Sequence, residues 1–301
     1  MGKSNNMRLG GPVDTSQIED RRGGGGRGLA VGGGGLGVVG LILALVFGLT
    51  GGGGGGGGSS DLNQILRQLQ PDAGAAQGDA QPLDCSQGAS ESTACFVTAV
   101  VNDVQATWTR IFQQQGRRYR DTKLVLYTQA TPTQGCGEAN SAVGPFYCPG
   151  DEKVYLDLGF FQELRDRFGA PGDFAQAYVI AHEFGHHVQD LLGTMQKVDR
   201  VRQSDRSQDN PLSVRLELQA DCYAGVWAHE SSVQPDPHDF TEALDAAAAV
   251  GDDRLQKQAG QRVNQDTWTH GSSAERMHWF QTGAKAGNLA DCNTFAQGAV
   301  P

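Results

Sequence analysis

Two histidines and a glutamate stand at the spacing that a catalytic metal site on a helix requires. In the stretch AHEFGHHVQD (181–190), His182 and His186 are four residues apart and Glu183 follows the first of them. Residues four apart lie on one face of an α-helix, so both imidazoles can reach one ion. A zinc ion held in this way lowers the pKa of a bound water toward about 7, and a neighbouring carboxylate can accept its proton. The pattern H-E-x-x-H therefore predicts a hydrolytic zinc site with Glu183 as the general base.

A third histidine in the same stretch, His187, points in another direction. It lies about 100° around the helix from His186, because an α-helix has 3.6 residues per turn. It therefore cannot share the face of His182 and His186, and we predict a structural or solvent-exposed role for it.

A catalytic zinc ion needs a third protein ligand, and a second stretch offers one. In RLELQADCYAG (215–225), Glu217 and Asp221 are also four residues apart on a predicted helix. Glu217 can bind the metal, and Asp221 can accept the outer N–H of a ligand histidine and so fix its tautomer. A solvated acidic face is the alternative for this pair. Four other histidines compete for the role of third ligand: His229, His238, His270 and His278.

The composition of the 301 residues divides the chain into four parts. The net charge of −10 argues against nucleic acid or an anionic membrane surface as the main partner. Residues 1–28 form a basic tail, and residues 29–50 contain no charge and are long enough for one membrane-spanning helix. Residues 51–84 are a glycine-rich, flexible tether, and residues 85–301 are long enough to form one domain.

The charge distribution around the predicted span sets its orientation. Basic residues occur on its N-terminal side, so the positive-inside rule places the tail in the cytoplasm and the domain outside it. We therefore expect a single-pass protein of a cell membrane with an extracytoplasmic domain. A cleaved signal peptide is the alternative, but the apolar run is long for one and no A-x-A-like cleavage site follows it.

All six cysteines follow the predicted span, which is typical of an exported, disulfide-bonded domain. Local spacing favours the pairs Cys85–Cys95 and Cys136–Cys148, which leaves Cys222–Cys292. A cysteine-ligated zinc site is the competing interpretation, but the chain contains no C-x-x-C motif.

The hydrophobic periodicity of the domain predicts an α+β fold in which strands come before most of the helices. A helix over 92–116 precedes a strand over 122–129 and a hairpin over 145–161, whose turn is Pro149-Gly150-Asp151. The sheet is expected to be small and antiparallel. Five further helices are predicted: a short one over 160–169, one over 173–193 with Asp173 as N-cap, one over 210–230, and two near 239–250 and 273–286.

The combination of H-E-x-x-H on one helix and E-x-x-x-D on the next resembles the thermolysin-type zincins. The whole chain is similar to a bacterial family known as the putative neutral zinc metallopeptidases. The matching stretches are EDRRG, GPFYCPGDEKVYLDLGFFQEL, FGAPGDFAQAYVIAHEFGHHVQ, RLELQADCYAGVWA and THGSSAERMHWF, whereas the long glycine runs depart from the family pattern. The resemblance implies a zincin-like peptidase with His182, His186 and Glu217 as ligands, Glu183 as base and Asp221 behind a ligand histidine.

Two further roles follow from the same resemblance. In zincins an edge strand beside the active-site helix binds the extended peptide, which here implies the strand 153–158 and its residues Lys153, Val154, Tyr155 and Leu156. An ordinary interior strand is the alternative. His270, in WTHGSS, is the candidate donor to the oxyanion of the tetrahedral intermediate. The alternative for His270 is a loop residue that caps the next helix.

Together these observations predict a membrane-tethered peptidase with one Zn²⁺ ion, acting on a peptide or protein substrate. One rival is a non-catalytic, zinc-stabilised binding or scaffold module, but such a site has no use for Glu183. The other rival is a zinc hydrolase of a non-peptide amide, for example in the cell wall.

Overall fold

The computed structural model describes residues 7, 9, 12–22, 83–296 and 298. The predicted membrane span (29–50) and nearly all of the predicted tether (51–84) lie outside the described residues. Among the helices in the described part of the chain, none combines the length and apolarity that crossing a membrane requires.

The main sheet has four strands and is mixed rather than antiparallel. Its strands are β1 (Ile18–Asp20), β2 (Leu124–Tyr127), β5 (Phe146–Cys148) and β6 (Lys153–Asp157), in the spatial order β1-β2-β6-β5. β2 pairs in parallel with both β1 and β6, and only the predicted hairpin β5–β6 is antiparallel. The prediction of an antiparallel sheet was wrong because β2 pairs in parallel with β6. A long connection separates these two strands in the sequence, so the pairing is not visible there. A separate antiparallel pair, β3 (Ala130–Pro132) and β4 (Glu138–Asn140), fills the connection.

Helices make up most of the domain, and the predicted α+β class is confirmed. The described residues form eight α-helices: α1 (Thr93–Gln114), α2 (Gly159–Asp166), α3 (Asp173–Leu191), α4 (Thr194–Ser204), α5 (Asp209–Glu230), α6 (Pro237–Ala249), α7 (Asp252–Gln258) and α8 (Ser273–Ala286). The core lies where α3, α5, α6 and α8 pack together and where α1 covers α3. The two motif helices, α3 and α5, are therefore held from several sides.

The start of α3 differs from the prediction. Asp173 is the first helical residue, and the N-cap is Gly172, at φ 134°. The backbone N–H of Phe174 donates to Oε2 of Glu242 on α6 at 2.9 Å. A Cβ on residue 172 would lie 2.2 Å from the Glu242 carboxylate. The cap thus comes from another helix, which the local sequence pattern does not reveal.

The two motif helices approach each other closely at Gly185. A Cβ at this position would lie 3.0 Å from the carbonyl oxygen of Ala220. This contact explains why glycine interrupts a helix, where it costs about 1 kcal/mol relative to alanine. The close approach brings the histidine face of α3 against the carboxylate face of α5.

Three disulfides link the domain with the predicted pairing. Cys85–Cys95 joins the entry segment to α1, Cys136–Cys148 joins the β3–β4 connection to β5, and Cys222–Cys292 joins α5 to the C-terminal segment. Cross-links of this kind stabilise a fold mainly by restricting the unfolded chain. Cys222 directly follows Asp221, so the third disulfide also holds the part of α5 that carries the motif.

The N-terminal segment contributes to the same fold. Residues 12–22, which the sequence analysis assigns to a separate tail, contain strand β1 and a buried residue, Ile18. The predicted boundary at residue 85 therefore omits one strand of the main sheet.

Candidate metal centre

Three side chains converge at the junction of α3 and α5. His182 Nε2 lies 3.1 Å from one carboxylate oxygen of Glu217, and His186 Nε2 lies 3.3 Å from the other. Ligand atoms of these three residues all lie within 4.8 Å of one another. Atoms bound at about 2.0–2.1 Å around a tetrahedral zinc ion are about 3.3 Å apart. Two imidazole nitrogens and a carboxylate at this separation fit a zinc ion.

The tautomer of His182 is held by Asp221. Nδ1–H of His182 donates to Oδ1 of Asp221 at 2.8 Å, which leaves Nε2 directed toward Glu217. A carboxylate behind a ligand histidine fixes the ring and raises its basicity. The predicted role of Asp221 matches this geometry.

His186 is oriented by Gln189, a residue that the sequence analysis missed. Nδ1–H of His186 donates to Oε1 of Gln189 at 2.9 Å. The Gln189 amide nitrogen donates to the carbonyl oxygen of Leu216 at 2.7 Å, so its oxygen must face the histidine. The sequence shows that His186 and Gln189 are three residues apart on one helix. It does not show that the carbonyl oxygen of Leu216 on α5 fixes the Gln189 amide.

Arg276, on α8, is the second residue that the sequence analysis missed. Its Nε and Nη2 donate to the two oxygens of Asp221 at 2.8 and 2.9 Å. Tyr178 O–H donates to the same carboxylate at 2.5 Å. Asp221 is fully buried, and a buried carboxylate without such partners would be strongly destabilising. Arg276 thus keeps Asp221 charged behind His182.

Glu183 has the surroundings of a general base. Its carboxylate lines the same cavity as the three candidate ligands and accepts the backbone N–H of Tyr147. Burial raises the pKa of Glu183, whereas the neighbouring histidines act in the opposite direction, and the net shift is upward. A base with a raised pKa can accept a proton and later return it near neutral pH.

His187 has a structural role, as predicted. Its ring is buried, with Nε2–H donating to the carbonyl oxygen of Arg120 at 2.6 Å and Nδ1 lying 3.1 Å from the Tyr147 hydroxyl. Burial lowers the pKa of His187, which favours the neutral ring. It connects α3 to the segment before β2.

His270 lies in the wall of the cavity on a loop that Asp252 holds. One oxygen of Asp252 accepts the backbone N–H groups of residues 269–271 at 2.7–3.0 Å. The other oxygen lies 3.2 Å from His270 Nδ1. Nε2 of His270 is buried and has no hydrogen-bond partner among the described residues. His270 lines the same cavity as His182, His186 and Glu217.

The other histidines that competed for the third ligand position lie outside the cavity lining. His229 Nδ1 is 2.7 Å from the carbonyl oxygen of Ala284, and His278 is exposed on α8. His238 forms a group with Asp239 and Glu242, but both carboxylates already accept backbone N–H groups at helix starts. The geometry therefore favours Glu217.

The predicted edge strand is an interior strand. β6, with residues Lys153, Val154, Tyr155 and Leu156, is paired with β2 on one side and β5 on the other. It has no free edge to offer a peptide. The edge of the sheet next to α3 is β5, and the cavity is lined by the segment 141–145 that leads into β5.

Comparison with known sequences now adds to this geometry. The sequence profile of a family described as "putative neutral zinc metallopeptidase" matches residues 7–295. The chain belongs to this family.

Its relatives match over most of their length. Uncharacterized protein YpfJ of Escherichia coli K12 is 42% identical over 298 residues, which cover 97% of this chain and 99% of the relative. Uncharacterized protein Rv2575 of Mycobacterium tuberculosis is 43% identical over 227 residues, 70% of this chain and 74% of the relative. No solved structure matches the chain.

Without a metal ion, the side chains of the candidate zinc site bind protons instead. Burial disfavours charge on the His182 ring, but Asp221 and Glu217 outweigh this effect and raise the pKa of His182 to about 10. His186 and His182 hold the pKa of Glu217 well below its usual range, although burial acts against them. At neutral pH a metal ion must therefore displace a proton from His182.

We expect zinc content to separate the ligands from their neighbour. Glu217→Gln removes the anionic donor and should weaken zinc binding at least 100-fold. His187→Gln should still bind one zinc ion per chain, although its melting temperature should fall because the buried contacts change. Elemental analysis after dialysis, with thermal unfolding, checks both. Equal zinc loss in the two variants would contradict the assigned ligands.

Zinc affinity should also rise with pH. Because the His182 pKa is about 10, zinc releases a proton from it at neutral pH, and affinity should increase about tenfold per pH unit between pH 6.5 and 9 for each proton released. Without metal, the stability that protonated His182 contributes is fully present below pH 6.5 and is lost as pH rises through 10. Competition with a chromophoric chelator measures the affinity, and a pH-independent value would contradict the expected proton release.

Proposed function

We propose that the protein is a zinc-dependent peptidase that hydrolyses peptide bonds at the His182–His186–Glu217 centre. The observation that carries the proposal is the number of ligands. Among the described residues, three side chains meet there, whereas a structural zinc site is closed by four protein ligands. An open coordination position beside the buried base Glu183 supports catalysis rather than a scaffold role.

The residues of the chain would share the proton transfers as follows. A bound zinc ion supplies Lewis acidity, which acidifies water and polarises a carbonyl group. The Glu183 carboxylate takes the proton from the attacking water and gives it to the leaving amine nitrogen. One carboxylate can serve both steps, because the proton that it takes from the water is given to the amine in the same cycle.

His270 is the proposed donor to the oxyanion. His270 lines the cavity, its Nε2 has no hydrogen-bond partner among the described residues, and the Asp252 carboxylate lies 3.2 Å from its Nδ1. A preorganised donor stabilises charge that develops in the transition state without reorganising. The predicted alternative, a helix cap, finds no support, because the N-cap of α8 is Ser272.

The cavity supports a substrate with an apolar side chain next to the scissile bond. Its volume is about 360 Å³, and the three candidate ligands are among its lining residues. Much of the remaining lining is apolar: Val143, Phe160, Phe168, Val179 and Leu255. A peptide side chain could bury its apolar surface there, at about 25 cal/mol per Å².

We further propose that the domain works outside the cytoplasm of a bacterial cell, close to a membrane. Three disulfides support an oxidising compartment. The charge-free segment 29–50 supports membrane attachment, and it lies outside the described residues.

The decisive experiment compares Glu183→Gln with wild-type protein on a peptide library. The variant keeps the shape of the side chain but cannot accept the proton, so kcat should fall by about 10²–10⁴ while zinc content is unchanged. Glu138→Gln, at an exposed site, is the matched control and should retain full activity. Hydrolysis that survives Glu183→Gln would refute the proposed base. If the wild type cleaves peptidoglycan fragments and no peptide, the substrate is instead a cell-wall amide; zinc without any hydrolysis supports the scaffold.

His270→Ala should lower kcat about 10²–10³-fold with little change in zinc affinity, because it removes a donor used in the transition state. His278→Ala is the matched control, since His278 is exposed on α8. Steady-state kinetics on a cleaved peptide measures the effect. An unchanged kcat, or a change confined to KM, would show that His270 does not stabilise the oxyanion.

A further inference from the structure

Strand β1 is bonded into the main sheet along its whole length. Its three residues pair in parallel with Leu124, Val125 and Leu126 of β2, and the N–H of Arg21 continues the ladder to the carbonyl oxygen of Leu126 at 2.8 Å. Ile18 is 9% exposed and belongs to the main core cluster. The N-terminal segment is thus a strand of the domain and not a separate tail.

Side-chain contacts also connect this strand to strands beyond its neighbour β2. Glu19 accepts hydrogen bonds from Lys153 on β6 at 2.7 Å and from Arg21 at 2.8 Å. Arg21 Nη1 also donates to Thr131 Oγ1 at 3.0 Å and to the carbonyl oxygen of Pro132 at 2.8 Å. Glu19 and Arg21 are therefore bound to two further strands, β6 and β3.

The residues before β1 are attached as well. The backbone N–H of Asp14 donates to Asn102 Oδ1 at 2.8 Å, and Asn102 Nδ2 donates back to the carbonyl oxygen of Asp14 at 3.0 Å. Asn102 lies on α1, the helix that follows the glycine-rich region. Contacts thus join the parts of the chain on either side of residues 23–82 at several places.

We infer that residues 12–22 and the metal-binding domain lie on the same side of any membrane that the chain contacts. Neighbouring strands are about 4.8 Å apart, whereas the hydrocarbon core of a bilayer is about 30 Å thick. A single crossing by residues 29–50 would put β1 and β2 on opposite sides, where they cannot pair. Residues 12–22 and the domain therefore cannot lie on opposite sides, and the predicted combination of a cytoplasmic segment 12–22 with an extracytoplasmic domain is incompatible with this fold.

Cysteine labelling of the full chain in bacterial cells tests the inference. Ser16→Cys reports on the N-terminal segment and Ser204→Cys on the domain, because both serines are exposed and all six native cysteines are in disulfides. A membrane-impermeant maleimide is applied to spheroplasts and, separately, to lysed cells. We expect the two variants to be labelled equally before lysis.

The outcomes separate this inference from the proposed extracytoplasmic location. Labelling of Ser204→Cys in spheroplasts, with Ser16→Cys labelled only after lysis, would overturn the inference. If both react only after lysis, the common side is confirmed and the extracytoplasmic location of the domain is wrong.

A second measurement tests the strand pairing in the purified full chain. Ile18→Asp places a charge in the core and should lower the melting temperature by roughly 5 °C or more, whereas Ser16→Asp at the exposed neighbouring site should leave it unchanged. Identical melting temperatures for the wild type and Ile18→Asp would show that β1 is not part of the folded domain, and the inference would fail.

Discussion

The candidate metal centre depends on the hydrogen bonds that the buried carboxylate of Asp221 accepts. Asp221 lies on α5 and accepts hydrogen bonds from Tyr178 and His182 on α3 and from Arg276 on α8. A charge with no exposure to water is tolerated only when it is paired and fully hydrogen-bonded. Because its partners come from two other helices, the carboxylate can be satisfied only when all three helices are in place. The position of His182 therefore depends on the packing of α3, α5 and α8.

The close contacts between these helices serve the same geometry. Gly185 lets the backbone of α3 approach Ala220 on α5, one residue before Asp221. The Cys222–Cys292 disulfide follows one residue after it and ties α5 to the end of the domain. Asp221 thus lies between Ala220, which contacts α3, and Cys222, which forms a disulfide. Small displacements of α5 would move both Asp221 and the candidate ligand Glu217, four residues away on the same face.

The features predicted correctly from sequence are those that local spacing determines. His182 and His186, like Glu217 and Asp221, share a helix face because of their i, i+4 spacing, and the structure brings His182, His186 and Glu217 together. Two of the disulfides follow from short separations, and the third joins the two cysteines that remain. The residues that were missed act across long sequence distances: Arg276 reaches Asp221 from 55 residues away, and Glu242 caps α3 from 68 residues away. Sheet order was missed for the same reason, since periodicity shows that a run is a strand without showing what pairs with it. Strand β1 escaped prediction because it is three residues long and charged at two of them.

Charge balance explains why the Asp221–Arg276 pair lies beside the candidate ligands and Glu183. Arg276 neutralises Asp221, so this pair holds His182 without adding net charge to the cavity. The two charges left are those of Glu217 and Glu183, which together match a divalent cation bound by two neutral histidines. In the protein alone, the histidine rings take up the compensating positive charge instead, which is why the pKa of His182 rises to about 10 and that of Glu217 falls. If Arg276 were absent, Asp221 would be left as a buried charge without its cationic partner, which is strongly destabilising. The arginine that lies behind the candidate ligands is therefore part of what holds Asp221, and with it His182, in place.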